Sequence, residues 1–152
     1  MNYFLAVRVS ILFLALAPVA SHADPVWTVA QAAPQGNVAQ AINALRRSSG
    51  ASPIQRSARA DAAARRHAAD MARNNFFDHR GTDGSTHTTR LRAAGCRGGA
   101  ENIAYGPYTG ESVVAAWIDS PSHRRNITLP AVRSFGLAQV GNKWVMVLSA
   151  GC

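Results

Sequence analysis

Apolar residues recur at helical spacing in four stretches of the chain and at strand spacing in three. Val38, Ala41, Ile42 and Leu45 follow the i, i+3, i+4, i+7 rule of an amphipathic helix, with Asn37 as its expected N-cap and Gly50 as its stop. Ser52 and Pro53 mark a turn. Ser57 can cap a second helix reaching about Asn74, whose narrow face through Ala60, Ala64, His67 and Met71 suits close packing; His67 reads there as structural. Phe76 and Phe77 end it as two large apolar anchors expected to position the backbone of His79. After a turn-rich loop over 81–85, residues 86–94 read as a third helix with Leu91 inward and Gly95 as its C-cap.

The next segment, 97–106, is bounded by glycines, and strand alternation would set Ile103 beside Tyr105 and Glu101 beside Ile103, bringing the carboxylate close to apolar surface. A fourth helix over 111–119 carries Val113, Val114 and Trp117 on one face. Pro121 stops it, because proline disfavours helix in the residue before it, so His123 is held just past a buried face. Residues 135–140 and 143–149 are apolar and branched, and Gly141 with Asn142 between them signals a two-residue hairpin. No internal repeat or low-complexity tract is present.

The N-terminus changes the picture of where the protein works. Arg8 precedes an apolar run over 9–17, and Ser21, His22 and Ala23 place small residues where a signal peptidase reads, so 1–23 is expected to be a cleaved signal peptide. The run is far shorter than the roughly 20 residues that cross a bilayer, and no transmembrane segment is expected in the mature chain. Residues 24–36 lack periodicity and read as an extended lead-in, leaving 37–152 as one domain, a length that suits a single core. Export to the periplasm or the exterior follows. Loss of Arg8 with the signal lowers the net charge from +8 to +7. The arginines are scattered rather than striped and an exported chain rarely meets nucleic acid, so a solvated basic surface is the first reading, with anionic envelope polymers or lipid headgroups ahead of nucleic acid as partners, and the chain is expected to be a monomer. Lys143 is the only lysine, which leaves little material for lysine-based catalysis.

Cys96 and Cys152 are the two cysteines, and an even count in an oxidising compartment favours a bridge. It would close a loop of about 57 residues, worth roughly 4 kcal/mol in the chain-entropy account. A free, reactive Cys96 is the alternative.

His79, Glu101 and His123 are expected to converge on one cleft. Two neutral imidazoles and a carboxylate match the protein ligands of several catalytic zinc sites, which keep a fourth position open for water. The close-spaced helical motif of two histidines around a glutamate is absent, however. The other reading is a hydrogen-bonded network in which Glu101 orients the histidines.

The order of short motifs, Phe77-Asp78-His79 with Asp83-Gly84-Ser85 and Arg90, then Glu101-Asn102-Ile103-Ala104, then Trp117 with Ser120-Pro121-Ser122-His123-Arg124-Arg125-Asn126-Ile127, then Phe135-Gly136 and Trp144, resembles the CAP superfamily in its compact bacterial form. The family is also called SCP or PR-1-like. The resemblance implies an α+β fold, an α-β-α sandwich with a small antiparallel sheet between helical layers. It also implies a cleft at one side, formed here by His79, Glu101 and His123 with Asp119, Ser120 and Asn126 beside them. Many eukaryotic members carry a glutamate three residues after the tryptophan, where this chain has Ser120 next to Asp119; Ala100 replaces the glycine commonly found before the glutamate. Expected functions are a non-enzymatic binding module, with a divalent cation such as zinc weakly bound by His79 and His123 or with an envelope ligand, and, alternatively, a metal-assisted hydrolase of peptide or cell-wall substrate with Glu101 as candidate base.

Overall fold

The structure, a computed structural model, describes residues 35–152. The expected signal peptide and most of the lead-in lie outside these residues. Helix α1 spans Gln35–Ser48, so Asn37 lies inside the helix rather than capping it, and the last two residues assigned to the lead-in are helical. Its end is as expected: Gly50 takes a positive φ of 74°, which costs glycine nothing. Helix α2 (Ala58–Arg73) starts where Ser57 accepts a hydrogen bond from the Ala60 amide and ends at the cap residue Asn74. Helix α3 (His87–Ala93) opens with a reciprocal capping box between Thr86 and Thr89, which satisfies two amides that a helix start leaves unpaired.

The sheet has four strands in the order β1-β3-β4-β2. Strands β3 (Ser134–Val140) and β4 (Lys143–Ser149) form the expected hairpin, with Gly141 at φ 57°. Strand β2 (Gly99–Tyr105) pairs antiparallel with β4, from Gly99 opposite Ser149 to Tyr105 opposite Lys143. A two-residue strand β1 (Gln55–Arg56) adds to β3 in parallel, so the sheet is mixed rather than purely antiparallel. Two residues give no alternation to read, which is why the turn at Ser52 and Pro53 hid it.

Side-chain alternation divides the core into two layers. Trp144, Met146 and Leu148 on β4 join Val38 and Ile42 of α1, and Val113, Val114 and Trp117 of α4 (Gly110–Asp119), on one face of the sheet. Val145 and Val147 point the other way, against the alanines and Met71 of α2 and Leu91 of α3. There α2 lies so close that a Cβ on Gly136 would collide with the backbone of Ala60. The result is the α-β-α sandwich.

Pro121 does end α4, but it also begins a fifth helix, α5 (Pro121–Ile127). Proline suits the first helical position, where its missing N–H would have had no partner. His123 therefore sits on a helix, not in a loop. The second correction concerns Phe77, which is 42% exposed rather than a buried anchor. Its ring packs edge-on against Tyr105 with 5.0 Å between centroids, and Lys143 lies over both rings. Phe76 alone packs inward, against the alanine face of α2. Cys96 and Cys152 are joined in a disulfide, which excludes the free-thiol alternative.

Candidate functional site

Strand β2 is the edge of the sheet, and the site is built along its open side. An edge strand leaves alternate carbonyls without a strand partner. Here three of them, two residues apart, accept from side chains of the surrounding helices: Gly99 from His87 Nε2 at 3.1 Å, Glu101 from Asn126 Nδ2 at 3.2 Å and Ile103 from Trp117 Nε1 at 3.4 Å. Asn126 also donates to Asn102 Oδ1 at 2.8 Å, and Asn102 donates to the His123 carbonyl at 3.1 Å. Helix α5 is thereby tied to β2 by two asparagines.

Glu101 lies on the α2 side of β2, with Ile103, as strand alternation requires. Its side chain is 1% exposed and both carboxylate oxygens are engaged: Oε1 accepts from His79 Nδ1 at 2.9 Å and Oε2 from Arg90 Nη2 at 2.8 Å. Burial opposes its ionisation, but the His79 hydrogen bond and the Arg90 guanidinium outweigh it and hold the carboxyl below the usual range. Arg90 is buried as well, and its remaining Nη contacts go to Ser85 and to the His79 carbonyl at 3.0 Å. The ring and the backbone of His79 are therefore fixed by two members of one ion pair. The Glu101 hydrogen bond raises the His79 pKa against the opposing effect of burial.

His79 remains 56% exposed in its side chain. With Nδ1–H directed at Glu101, the Nε2 edge is the one free to meet a ligand. His79 lines a cavity of about 410 Å³ together with His87, Gly99, Ala100, Glu101, Asn126 and Leu129. His123 is not among these residues. Its Nδ1 lies 3.0 Å from Ser120 Oγ, and burial, then the nearby charge of His79, lower its pKa, keeping the ring neutral. Ser120 thus touches His123 and not the cavity, while Asp119 is exposed and does not line it either.

Sequence reasoning missed three participants. Arg90 could have been found as a charged residue beside Leu91 on the inward side of α3. His87 carried no periodic signal, because its contact is to a backbone carbonyl distant in sequence. His67, read as a packing residue, is fully buried with Nε2 donating to the Asp78 carbonyl at 2.8 Å, and Nε2 comes to 3.9 Å from Glu101 Oε1. That approach is not an ion pair, since burial dominates and lowers the His67 pKa, leaving the ring neutral.

The donors available to a cation are the Nε2 edge of His79, backed by a carboxylate in the manner of many metal-bound histidines, and the neutral ring of His123. Glu101 has no oxygen free. Among the described residues no three His, Cys, Asp or Glu side chains are gathered closely enough to hold a metal ion. Two imidazoles fall short of the three protein ligands of a catalytic zinc site.

Residues 39–147 match the model of the Cysteine-rich secretory protein family. The uncharacterized protein YkwD of Bacillus subtilis (strain 168) is 33% identical over 111 residues, covering 70% of this chain and 43% of that protein, so the chain spans less than half the length of this relative. An extracellular protein with an SCP domain from Bacillus anthracis superposes with a TM-score of 0.67 at 23% identity, covering 75% of this chain and 40% of that one. An outer surface protein of Borrelia burgdorferi superposes with a TM-score of 0.65 at 19% identity, covering 78% and 95%. With the family model spanning the sandwich from α1 to β4 and the solved structures sharing its fold, the chain belongs to the cysteine-rich secretory protein, or CAP, family.

Proposed function

We propose that this domain is an exported, non-enzymatic binding module whose ligand docks on the Nε2 edge of His79, either a weakly held divalent cation such as zinc or a component of the cell envelope. The supporting observation is the state of Glu101. It is the one carboxylate among the cavity's lining residues, and both its oxygens are held, one by His79 and one by Arg90. A general base needs a free oxygen and a pKa near the working pH. Glu101 has neither, since its pKa is lowered. The carboxylate instead fixes the imidazole of His79 in one tautomer and orientation.

Export is supported by the names of its structural relatives, an extracellular protein and an outer surface protein. No helix of the described residues is long and apolar enough to cross a membrane. When zinc is bound it supplies a Lewis-acidic centre; the chain's part is to present His79 in one tautomer through Glu101, with His123 as second donor. Calorimetric titration of the purified protein with zinc, beside His79→Ala and His123→Ala, tests this reading. Saturable uptake in the wild type that both variants lose is expected, together with no turnover of peptide or cell-wall fragments. Turnover that disappears in His79→Ala would establish the hydrolase instead. Equal zinc uptake in all three proteins would remove His79 and His123 from the site.

A further inference from the structure

Arg46 is fully buried, and its side chain bonds only to backbone carbonyls: Nε to Ser52 at 2.7 Å, Nη1 to Ile127 at 2.6 Å and Leu129 at 3.1 Å, and Nη2 to Val132 at 3.3 Å. The guanidinium fastens the last turn of α1 to the last turn of α5 and to the turn that leads into β3. Segments 45–54 and 121–133 are joined in this way. Between them they carry five arginines, Arg46, Arg47, Arg124, Arg125 and Arg133, and no aspartate or glutamate. Scattered along the sequence, these arginines are gathered by the fold into one patch, of which all but Arg46 are exposed.

No carboxylate balances the patch. Among the described residues, arginine–carboxylate pairs are confined to Arg56, Arg66 and Arg90. The acid nearest in sequence, Asp119, ends α4 ahead of the first turn of α5, away from these carbonyls. Burial first, and then the charge of Arg133, lowers the Arg46 pKa, so like charges already oppose one another here. Part of the charge answers the helices themselves. The carbonyl end of a helix carries about half a negative charge, so two C-termini that meet offset roughly one of the five, and about four remain. That surplus exceeds what capping requires.

The composition of the patch selects its partner. Neither segment contains Phe, Tyr or Trp, so no ring is present on which a nucleic-acid base could stack. Leu129, 38% exposed, is the one large apolar side chain exposed there, far less than the apolar face by which interfacial helices enter a lipid surface. The exposed charges are spread over two helix ends and a turn, which suits a chain of anionic groups better than a single small ion. We propose that this patch docks an anionic polymer of the cell envelope, its exposed guanidinium groups pairing with phosphates or carboxylates along the polymer. The envelope as source rests on the export put forward above; the charge complementarity does not. The patch borders the His79 cavity, because Leu129, whose carbonyl Arg46 holds, lines that cavity.

Long-chain inorganic polyphosphate is the probe, titrated calorimetrically into the purified protein at several salt concentrations. Binding should weaken as salt rises, because neutralising a polyanion releases its counterions. Arg47→Gln, Arg124→Gln and Arg125→Gln combined should weaken it about 10- to 100-fold, each exposed ion pair being worth a few-fold. The slope of log affinity against log salt should become shallower by about 2 to 3. A matched triple, Arg59→Gln, Arg65→Gln and Arg73→Gln, removes the same charge from exposed positions of α2, on the other face of the sheet, and should bind nearly as the wild type does. His79→Ala should also bind as the wild type, which separates this surface from the cavity. Arginine and glutamine have similar helix propensities. Should the first triple still not fold, Arg124→Gln alone should weaken binding about 2- to 5-fold. Isolated cell walls should co-sediment the wild type and release it to polyphosphate. The proposal is overturned if polyphosphate does not bind, if both triples weaken it equally, which is the result for net charge alone, or if phosphatidylglycerol vesicles and not cell walls retain the protein.

Discussion

Arg90 Nη2 donates to Glu101 Oε2 at 2.8 Å with both side chains 1% exposed, and this buried pair joins the cavity lined by His79 to one of about 220 Å³ lined by His67, Asp70 and Arg90 among others. On one side Glu101 holds the ring of His79; on the other Arg90 lines the pocket of His67. Neither charge has water to fall back on. Removing one partner strands the other, so Arg90→Met and Glu101→Gln should each cost about 3 to 5 kcal/mol. Urea unfolding measures this, and a loss below about 1 kcal/mol would place the pair with surface salt bridges. Glu101→Gln is for the same reason a poor probe of base catalysis, since it disturbs fold and chemistry together.

Trp117 is 2% exposed, and its Nε1 donates to the carbonyl of Ile103 on β2 at 3.4 Å. It fills the layer beneath α5 and protects the sheet edge. Trp117→Ala should cost roughly 3 to 5 kcal/mol. A near-neutral change in the unfolding midpoint would contradict this placement.

The Cys96–Cys152 bridge closes a loop across 56 positions of sequence. It fastens the C-terminus beside the exit of α3, where the Arg97 amide also donates to the Gly151 carbonyl at 2.7 Å. Thiol titration of the unfolded, non-reduced protein should find no free sulfhydryl. Reduction should lower stability by up to roughly 4 kcal/mol. Two titrating thiols per chain would exclude the bridge.

The fold was legible wherever a pattern ran for several residues. Ser57, Gly50 and the hairpin at Gly141 bound their elements as read, and the motif order from Phe77 to Trp144 indicated the family correctly. What escaped notice was short or non-local. Strand β1 has two residues and α5 opens on the proline that closes α4, so a stop signal was also a start signal. At the site, strand alternation put Glu101 on its correct face, yet nothing local indicates that Arg90 neutralises it or that His87 and Asn126 take up edge carbonyls. Those contacts depend on how α3 and α5 dock against β2. Phe77 was misplaced because its aromatic character was read as burial, whereas its ring lies at the surface against Tyr105.

The histidines set the pH dependence, with opposite signs. His79 has a raised pKa because Glu101 accepts its proton, despite the opposing effect of burial. Its contribution to stability is fully present below the unfolded histidine pKa of about 6.5 and is lost as pH rises through the folded value. His67 is lowered, chiefly by burial, and His123 is lowered by burial and by His79. Their unfolded forms bind protons that the folded forms refuse, so stability falls as pH drops below about 6.5. Glu101, with a lowered pKa, adds to the loss only in the acid range, below the unfolded carboxyl pKa of about 4.3. Stability should therefore peak near pH 6.5, rising from pH 8 to that point and declining below it. In His79→Gln the rise between pH 8 and 6.5 should vanish while the acid decline persists, because His67 is untouched. Melting temperatures across this range for both proteins supply the test, and superimposable profiles above pH 6.5 would show that the His79 to Glu101 hydrogen bond does not couple to folding.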